Sequence, residues 1–236
     1  MRRRTFLAAG LAGAATLAAP TLAADAAIAG TYGSGTLGTW TDKARRISTA
    51  TTCRNAVSKG GVFMFGDSIA VQDGKHLAEQ LYARDGSVLA VHNWAGRPTG
   101  PAVDALEQWA SAYGLPDRIL MATGSNDIFA PPGFRAQVDW AIRIADGRTL
   151  VWVDVHVSRW SQPAAVQVAD QRNSGWVNSQ LGEAAADWSN LRIVRWAERL
   201  AGKPGYRIPA YLSDGVHTSV PLGRAARNAM IVEALT

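Results

Sequence analysis

Cysteine is all but absent from this 236-residue chain, Cys53 being the single one. That excludes a disulfide within the chain and any cysteine-rich zinc site. Charge is sparse as well: Lys, Arg, Asp and Glu make up 18% of the residues against 47% apolar, which excludes intrinsic disorder. Basic residues exceed acidic ones by only 24 to 19, a net +5, too little over this length for a nucleic-acid-binding signature. Beyond the N-terminus there is no run of 18 apolar residues, so no internal membrane span is expected. Nucleotide motifs are missing too. No G-x-x-x-x-G-K-[ST] occurs, and Gly66-Asp67-Ser68 stands where a dinucleotide fingerprint would follow the first strand. What remains is enough chain for one full-sized core, as one domain or one domain plus a leader.

The leader is legible. Arg2, Arg3 and Arg4 precede an Ala/Gly-rich apolar stretch from 7 to 19, and Ala24-Asp25-Ala26 fits a small-residue cleavage site, with Thr21-Leu22-Ala23 as a second choice. Residues 1–26 therefore read as an export signal. The run Arg3-Arg4-Thr5-Phe6-Leu7 resembles a twin-arginine signal; an ordinary secretory signal or an uncleaved anchor are the competing readings. Three arginines and one aspartate fall in this leader, so +3 of the +5 remains without it. Residues 27–39, with four glycines and no periodicity, read as a flexible tether, and the folded domain is expected over 40–236. The expected location is outside the cytoplasm, secreted or associated with the cell wall. Cys53 reads as a buried bystander.

From residue 62 onward short apolar runs alternate with helical patterns. Strands are expected at 62–65, 88–91, 118–122, 150–157 and 191–194. Helices are expected at 76–84, 103–113, 134–144, 166–186 and 222–235. Alternation at this spacing implies βαβ units and a parallel sheet of five strands covered on both faces, with the site beyond the carboxyl ends of the strands.

Four polar motifs fall at those ends. Gly66-Asp67-Ser68-Ile69 follows the first strand and presents a serine beside free backbone N–H groups; a helix-capping serine is the plain alternative. Asn93-Trp94-Ala95-Gly96-Arg97 follows the second, where Gly96 can offer an unobstructed N–H or simply punctuate a loop. Gly124-Ser125-Asn126-Asp127 follows the third, and Asn126 there can aim its amide at a developing oxyanion or serve as a turn residue. Asp214-Gly215-Val216-His217 precedes the last helix. A carboxylate three residues before a histidine can orient the imidazole, although such a spacing also occurs in surface turns.

In this order the motifs resemble those of the SGNH (GDSL-like) hydrolases, from about Gly61 to the C-terminus, some three quarters of the chain. The four marker residues of that family match Ser68, Gly96, Asn126 and His217. The resemblance implies a flavodoxin-like three-layer α/β/α fold and ester chemistry with no cofactor and no metal. It implies Ser68 as nucleophile, His217 as general base and then acid, and Asp214 as the residue orienting His217. The N–H groups of Ser68 and Gly96 and the amide of Asn126 would form the oxyanion hole. Asp67, Trp94, Arg97 and Asp127, next to the markers, are candidates for substrate contact. The ordinary α/β-hydrolase elbow, G-x-S-x-G, is not matched by Gly66-Asp67-Ser68-Ile69-Ala70.

Within the family the sequence is most similar to SGNH domains found with membrane-bound acyltransferases of cell-surface glycans. The likeness rests on Ala95-Gly96-Arg97, the segment from Val177-Asn178 to Asp187-Trp188, and Ser213 to His217. There the domain is fused to a membrane domain, whereas here a leader precedes it, which leaves hydrolase or transferase open. The expectation is a secreted serine esterase for short O-acyl esters. An extracytoplasmic glycan O-acyltransferase is the first alternative and a non-catalytic glycan-binding module the second. The expected partner is a small-molecule or glycan ester. No nucleic acid and no stable membrane insertion after processing are expected, and the chain is expected to be a monomer. Asp154 and His156, alternating on the fourth strand, read as a structural pair, while Trp94 and Trp160 fall on site-side loops. Trp109, Trp140 and Trp196 are expected in the core.

Overall fold

A computed structural model describes residues 31–236; the expected export signal and the first part of the expected tether lie outside these residues. One six-stranded sheet runs through the molecule, built from β1 (Arg45–Ile47), β2 (Val62–Gly66), β3 (Leu89–Trp94), β4 (Arg118–Ala122), β5 (Thr149–Val153) and β6 (Leu191–Val194). The spatial order is β1-β3-β2-β4-β5-β6. The last five strands are parallel, as expected. A sixth was not expected: β1 pairs antiparallel with β3, Arg45 opposite Trp94. Its three residues are all exposed, so no burial pattern marks them.

Seven helices cover the sheet among the described residues: α1 (Ala50–Ser58), α2 (Ser68–Asp85), α3 (Thr99–Tyr113), α4 (Phe134–Ala145), α5 (Ala164–Asp187), α6 (Trp196–Ala201) and α7 (Leu222–Leu235). The alternation of strand side chains decides which helices pack where. In β2, Phe63 and Phe65 join the core under α1, α3, α4 and α5. Val62 and Met64 join the other, under α2, α6 and α7. Both sets are apolar because both faces are covered, which is why the strand reads as a continuous run. Cys53 is fully buried in the first core, and burial pushes its thiol pKa up. Trp109 and Trp196 are buried as expected, whereas Trp140 is 40% exposed.

The fourth expected strand ends early, at Val153. Beyond it, side chains of α5 replace the ladder: Asn178 Oδ1 accepts from Val155 N–H and Ser174 Oγ from Val157 N–H. Nor is residue 31 onward a free tether. Tyr32 O and Ser34 Oγ accept from the buried Asn173 amide on α5, and Ser34 is itself buried.

Topology places the site. From β2 the chain steps to β3 on one side and then crosses to β4 on the other, so β2 is the switch point. The loops after β3, β2 and β4 therefore stand side by side at the carboxyl edge, where a crevice opens.

Candidate active site

Ser68 is the first residue of α2, directly after β2. Asp67, not Ser68, caps this helix: its Oδ1 accepts from Ile69 N–H at 3.0 Å. The serine hydroxyl is thereby spared the capping role that the sequence left open. As the first helical residue, Ser68 keeps a backbone N–H without an intrahelical partner, at the positive end of an 18-residue helix.

The Ser68 hydroxyl meets His217. Its Oγ lies 2.9 Å from His217 Nε2, and His217 Nδ1 lies 2.7 Å from Asp214 Oδ2. With Nδ1–H donating to the carboxylate, Nε2 is left to accept the serine proton. Asp214 Oδ1 accepts from Val216 N–H at 2.9 Å and His217 N–H at 2.8 Å, closing a tight turn. Burial alone would raise the Asp214 carboxyl pKa, but the bonds from the His217 side chain and from the two N–H groups outweigh it and hold the pKa below its usual value.

Two sets of contacts carry this turn to the serine. Thr218 Oγ1 donates to Asp73 Oδ2 at 2.7 Å, and Gln72 Nε2 donates to Thr218 O and Oγ1, which ties the turn to the second turn of the Ser68 helix. On the other side, Ser158 N–H donates to Gly215 O and Trp160 N–H to Asp214 O. Gly215 has φ of +88°, and a Cβ on it would lie 1.8 Å from Ser158 O, so only glycine fits between the two loops.

The loop after β3 turns at Gly96, with φ of +76°. Ala95 N–H donates to Ala44 O and Arg97 N–H to Trp94 O, which leaves the Gly96 N–H out of the turn's own bonds. After β4, Asn126 Nδ2 donates to Arg97 O at 3.2 Å, a bond that uses one amide hydrogen and bridges this loop to the one after β3. Asn126 lines the cleft.

Four expected substrate contacts are corrected. Asp67 is 1% exposed, and burial raises its pKa. Arg97, equally buried, donates through Nη1 to His92 Nδ1 at 2.7 Å and through Nη2 to His92 O. Burial lowers the Arg97 pKa to about 10. Burial and the neighbouring Arg97 charge lower His92 to about 4. Asp127 receives Thr99 N–H and Thr99 Oγ1, pinning the start of α3; burial raises it to about 6 against these bonds. Trp94 packs edge-on against Trp40, centroids 5.2 Å apart, beneath the Arg45 guanidinium. In each case a polar or aromatic group near a marker serves to hold the loop rather than to face the cleft. Asp154 is structural, but not as a pair with His156: its Oδ1 accepts from Ala197 N–H near the start of α6, and no hydrogen bond joins it to His156.

The cleft measures about 230 Å³ and is walled by Ser68, His217, Asp214, Ser125, Asn126, Ile128, Phe129, Val157, Arg159, Ser161 and Val216. Arg159 and Phe129 were not anticipated from sequence. The signal available for Arg159 was its place beyond the end of the fourth strand, where the strand-end rule puts ligand contacts. Arg227, also unanticipated, is 3% exposed; burial lowers its pKa, and the nearby carboxylates of Asp73, Asp67 and Asp154 oppose that. Its Nε and Nη1 make no direct hydrogen bond among the described residues. Among those residues no group of three His, Cys, Asp or Glu side chains is placed to hold a metal ion, and no helix is long and apolar enough to cross a membrane.

No family model and no curated protein matches the sequence. Solved structures do. A lipase/acylhydrolase from Enterococcus faecalis superposes with a TM-score of 0.59 at 19% identity, over 73% of this chain and 93% of that one. The C-terminal catalytic domain of Streptococcus pneumoniae peptidoglycan O-acetyltransferase A superposes at 0.55 and 16%, over 74% and 89%. A psychrotrophic esterase from Pseudoalteromonas superposes at 0.54 and 15%, over 74% and 96%. The fold is that of the GDSL-type (SGNH) lipases and acylhydrolases.

Proposed function

We propose that this protein is a serine esterase that cleaves short O-acyl esters through an acyl-Ser68 intermediate. The observation that carries the reading is the continuous chain from Ser68 Oγ through His217 to Asp214, at 2.9 and 2.7 Å, opening on a cleft. A serine hydroxyl is a weak nucleophile unless an adjacent base removes its proton, and that is the arrangement here.

Ser68 Oγ attacks the ester carbonyl carbon while its proton passes to His217 Nε2. The carbonyl oxygen becomes an oxyanion, taken by the N–H groups of Ser68 and Gly96 and the free amide hydrogen of Asn126. Asp214 stabilises the imidazolium formed. The intermediate collapses, the bond to the alcohol oxygen breaks, and His217 returns the proton to that oxygen. Water then attacks the acyl carbon, giving its proton to His217, which passes it to the departing Ser68 Oγ. Donors aimed at developing charge typically contribute about 10²–10³ in rate each.

The cleft supports a short acyl group, since drug-sized ligands occupy roughly 300–1,000 Å³ and this one offers about 230 Å³. The leader supports export, in twin-arginine style. A second reading keeps the same residues and replaces water by a glycan hydroxyl. It is favoured by the fold shared with the pneumococcal O-acetyltransferase domain and by His217 being 32% exposed, open to an acceptor.

The test is intact-mass spectrometry after brief exposure to p-nitrophenyl acetate, beside Ser68→Ala. Acetylation that requires Ser68 is expected. Equal labelling of the variant would remove Ser68 as nucleophile. Adding oligosaccharide acceptors then separates the readings: a transferase makes acylated sugar at the expense of hydrolysis. Absence of an acyl-enzyme with any ester, together with glycan binding, would leave a binding module.

A further inference from the structure

The loop after β5 places Val157, Arg159 and Ser161 on the cleft wall, and it is laced to the catalytic turn through Ser158 N–H to Gly215 O and Trp160 N–H to Asp214 O. The backbone on either side of Arg159 is thus tied to the turn that carries His217, while its guanidinium lies over Phe129 on the cleft wall. In an esterase of the kind proposed above, on which this inference rests, His217 hands its proton to the leaving alcohol oxygen. The alcohol half of the ester therefore faces the turn to which the Arg159 loop is bonded.

Arg159 is the one lysine or arginine lining the cleft among the described residues. Its guanidinium is held on three sides. Nε and Nη2 donate to the two oxygens of Asp170, at 2.8 and 2.7 Å, and Nη2 also donates to Ser34 O. The guanidinium carbon sits 5.0 Å from the centre of the Phe129 ring. Asp170 is wholly buried, whereas the Arg159 side chain is 26% exposed, so the pair turns its positive end outward. Nη1 makes no hydrogen bond among the described residues. The Asn173 amide donates to Tyr32 O, Ser34 Oγ and Ile128 O, linking the N-terminal segment to the Ile128–Phe129 wall. A fork fixed in this way loses little side-chain entropy when a ligand arrives.

We propose that Arg159 determines substrate choice by donating from Nη1 to a carboxylate carried on the alcohol half of the ester, with Phe129 and the docked segment 32–34 holding it in place. The substrate class is then an O-acyl ester of an acidic alcohol, such as an acylated acidic sugar. A carboxylate fits better than a hydroxyl because a bond between two charged groups is roughly twice as strong as a neutral one. Arg159, Ser68 and His217 line the same cleft of about 230 Å³.

The experiment compares kcat/KM for 3-acetoxybenzoate and its methyl ester, each corrected for its hydroxide-catalysed rate. The full chain is used as wild type, Arg159→Gln, Arg159→Lys, and the double variant Arg159→Gln with Asp170→Asn. The double variant removes the buried carboxylate together with its partner, so it remains informative if Arg159→Gln does not fold. Wild type is expected to prefer the carboxylate ester. The preference should fall by about 10–100-fold in the glutamine variants, the range of one charge-assisted hydrogen bond. Arg159→Lys should retain part of it. Equal rates for the two esters in wild type, or a preference that survives the double variant, would overturn the role of Arg159 while leaving the esterase reading intact. Turnover of neither ester, with no acyl-Ser68 formed, would overturn both.

Discussion

Asp214→Asn would test the proposed catalytic chain where its geometry is most demanding. The side chain keeps its shape. One oxygen of Asp214 accepts from Val216 N–H and His217 N–H, and asparagine retains an oxygen for those two bonds. The other oxygen faces His217 Nδ1 at 2.7 Å and becomes an NH2 group. That donor forces Nδ1 to accept, so the ring hydrogen moves to Nε2. Nε2 then cannot take the proton of Ser68 Oγ, 2.9 Å away. In serine-protease triads the equivalent change costs about 10⁴ in turnover. Here the Asp214 side chain is 53% exposed, so water can partly stand in. The expected loss is about 10²–10⁴ in kcat/KM, equivalent to about 3–5 kcal/mol of barrier. The turn should survive, leaving the thermal midpoint nearly unchanged. Steady-state hydrolysis of p-nitrophenyl acetate and a thermal melt of the same preparation decide it. A variant within tenfold of wild type and normally folded would refute the relay; one that fails to fold would refute the claim that the backbone bonds hold the turn.

Other outcomes follow from the same contacts. Gly215→Ala should lower turnover about 10–100-fold and cost about 1–3 kcal/mol of stability, because the left-handed backbone and the Ser158 carbonyl leave no room for a methyl group. Wild-type activity and melting temperature would show that the two loops are not interlocked. Asn126→Ala should reduce kcat by about 10²–10³ with KM changed only a few-fold, since in the proposed mechanism its amide serves charge that develops in the transition state. A change confined to KM would remove it from the oxyanion hole. Asp127→Asn addresses the loop scaffold through pH. The folded carboxyl titrates at about 6 against 3.8 for the same group in the unfolded chain. The stabilisation from its proton is therefore complete below about 3.8 and lost as pH rises through about 6. Wild-type stability minus that of the variant should grow by about 2 kcal/mol as pH falls from 7 to 4. Urea unfolding at both pH values measures it, and an unchanged difference would contradict the burial assigned to Asp127.

The strands that were legible are those with mostly apolar runs, whether buried on both faces, as Val62–Gly66 is, or at the sheet edge with one exposed residue, as Leu191–Val194 is. Val62 to Phe65, Arg118 to Ala122 and Leu191 to Val194 are short runs dominated by apolar residues, and the structure puts strands there. Illegible elements owe their form to partners distant in sequence. Arg45–Ile47 becomes a strand by pairing with β3. The first turns of α2 were missed because Asp73 and Gly74 occupy buried positions that an amphipathic pattern would fill with apolar residues. The glycine-rich segment before Trp40 resembled a tether, yet part of it is held by Asn173, a polar residue buried on α5.

The candidate site divides in the same way. Order along the chain and position at strand ends were enough to single out Ser68, Gly96, Asn126, Asp214 and His217. A parallel sheet forces every strand-to-helix loop to one edge, and local motifs mark which loops are unusual. Only the tertiary structure decided what the neighbouring polar residues do. Asp67, Arg97 and Asp127 turned inward to satisfy backbone and side-chain groups that folding buries, while Arg159, unremarkable in sequence, was brought to the cleft by Asp170 and Ser34. A motif records residue type and spacing. Whether a charged side chain faces substrate or scaffold depends on which partners the fold brings within hydrogen-bonding distance, because burying a polar group without a partner costs free energy that a hydrogen bond offsets.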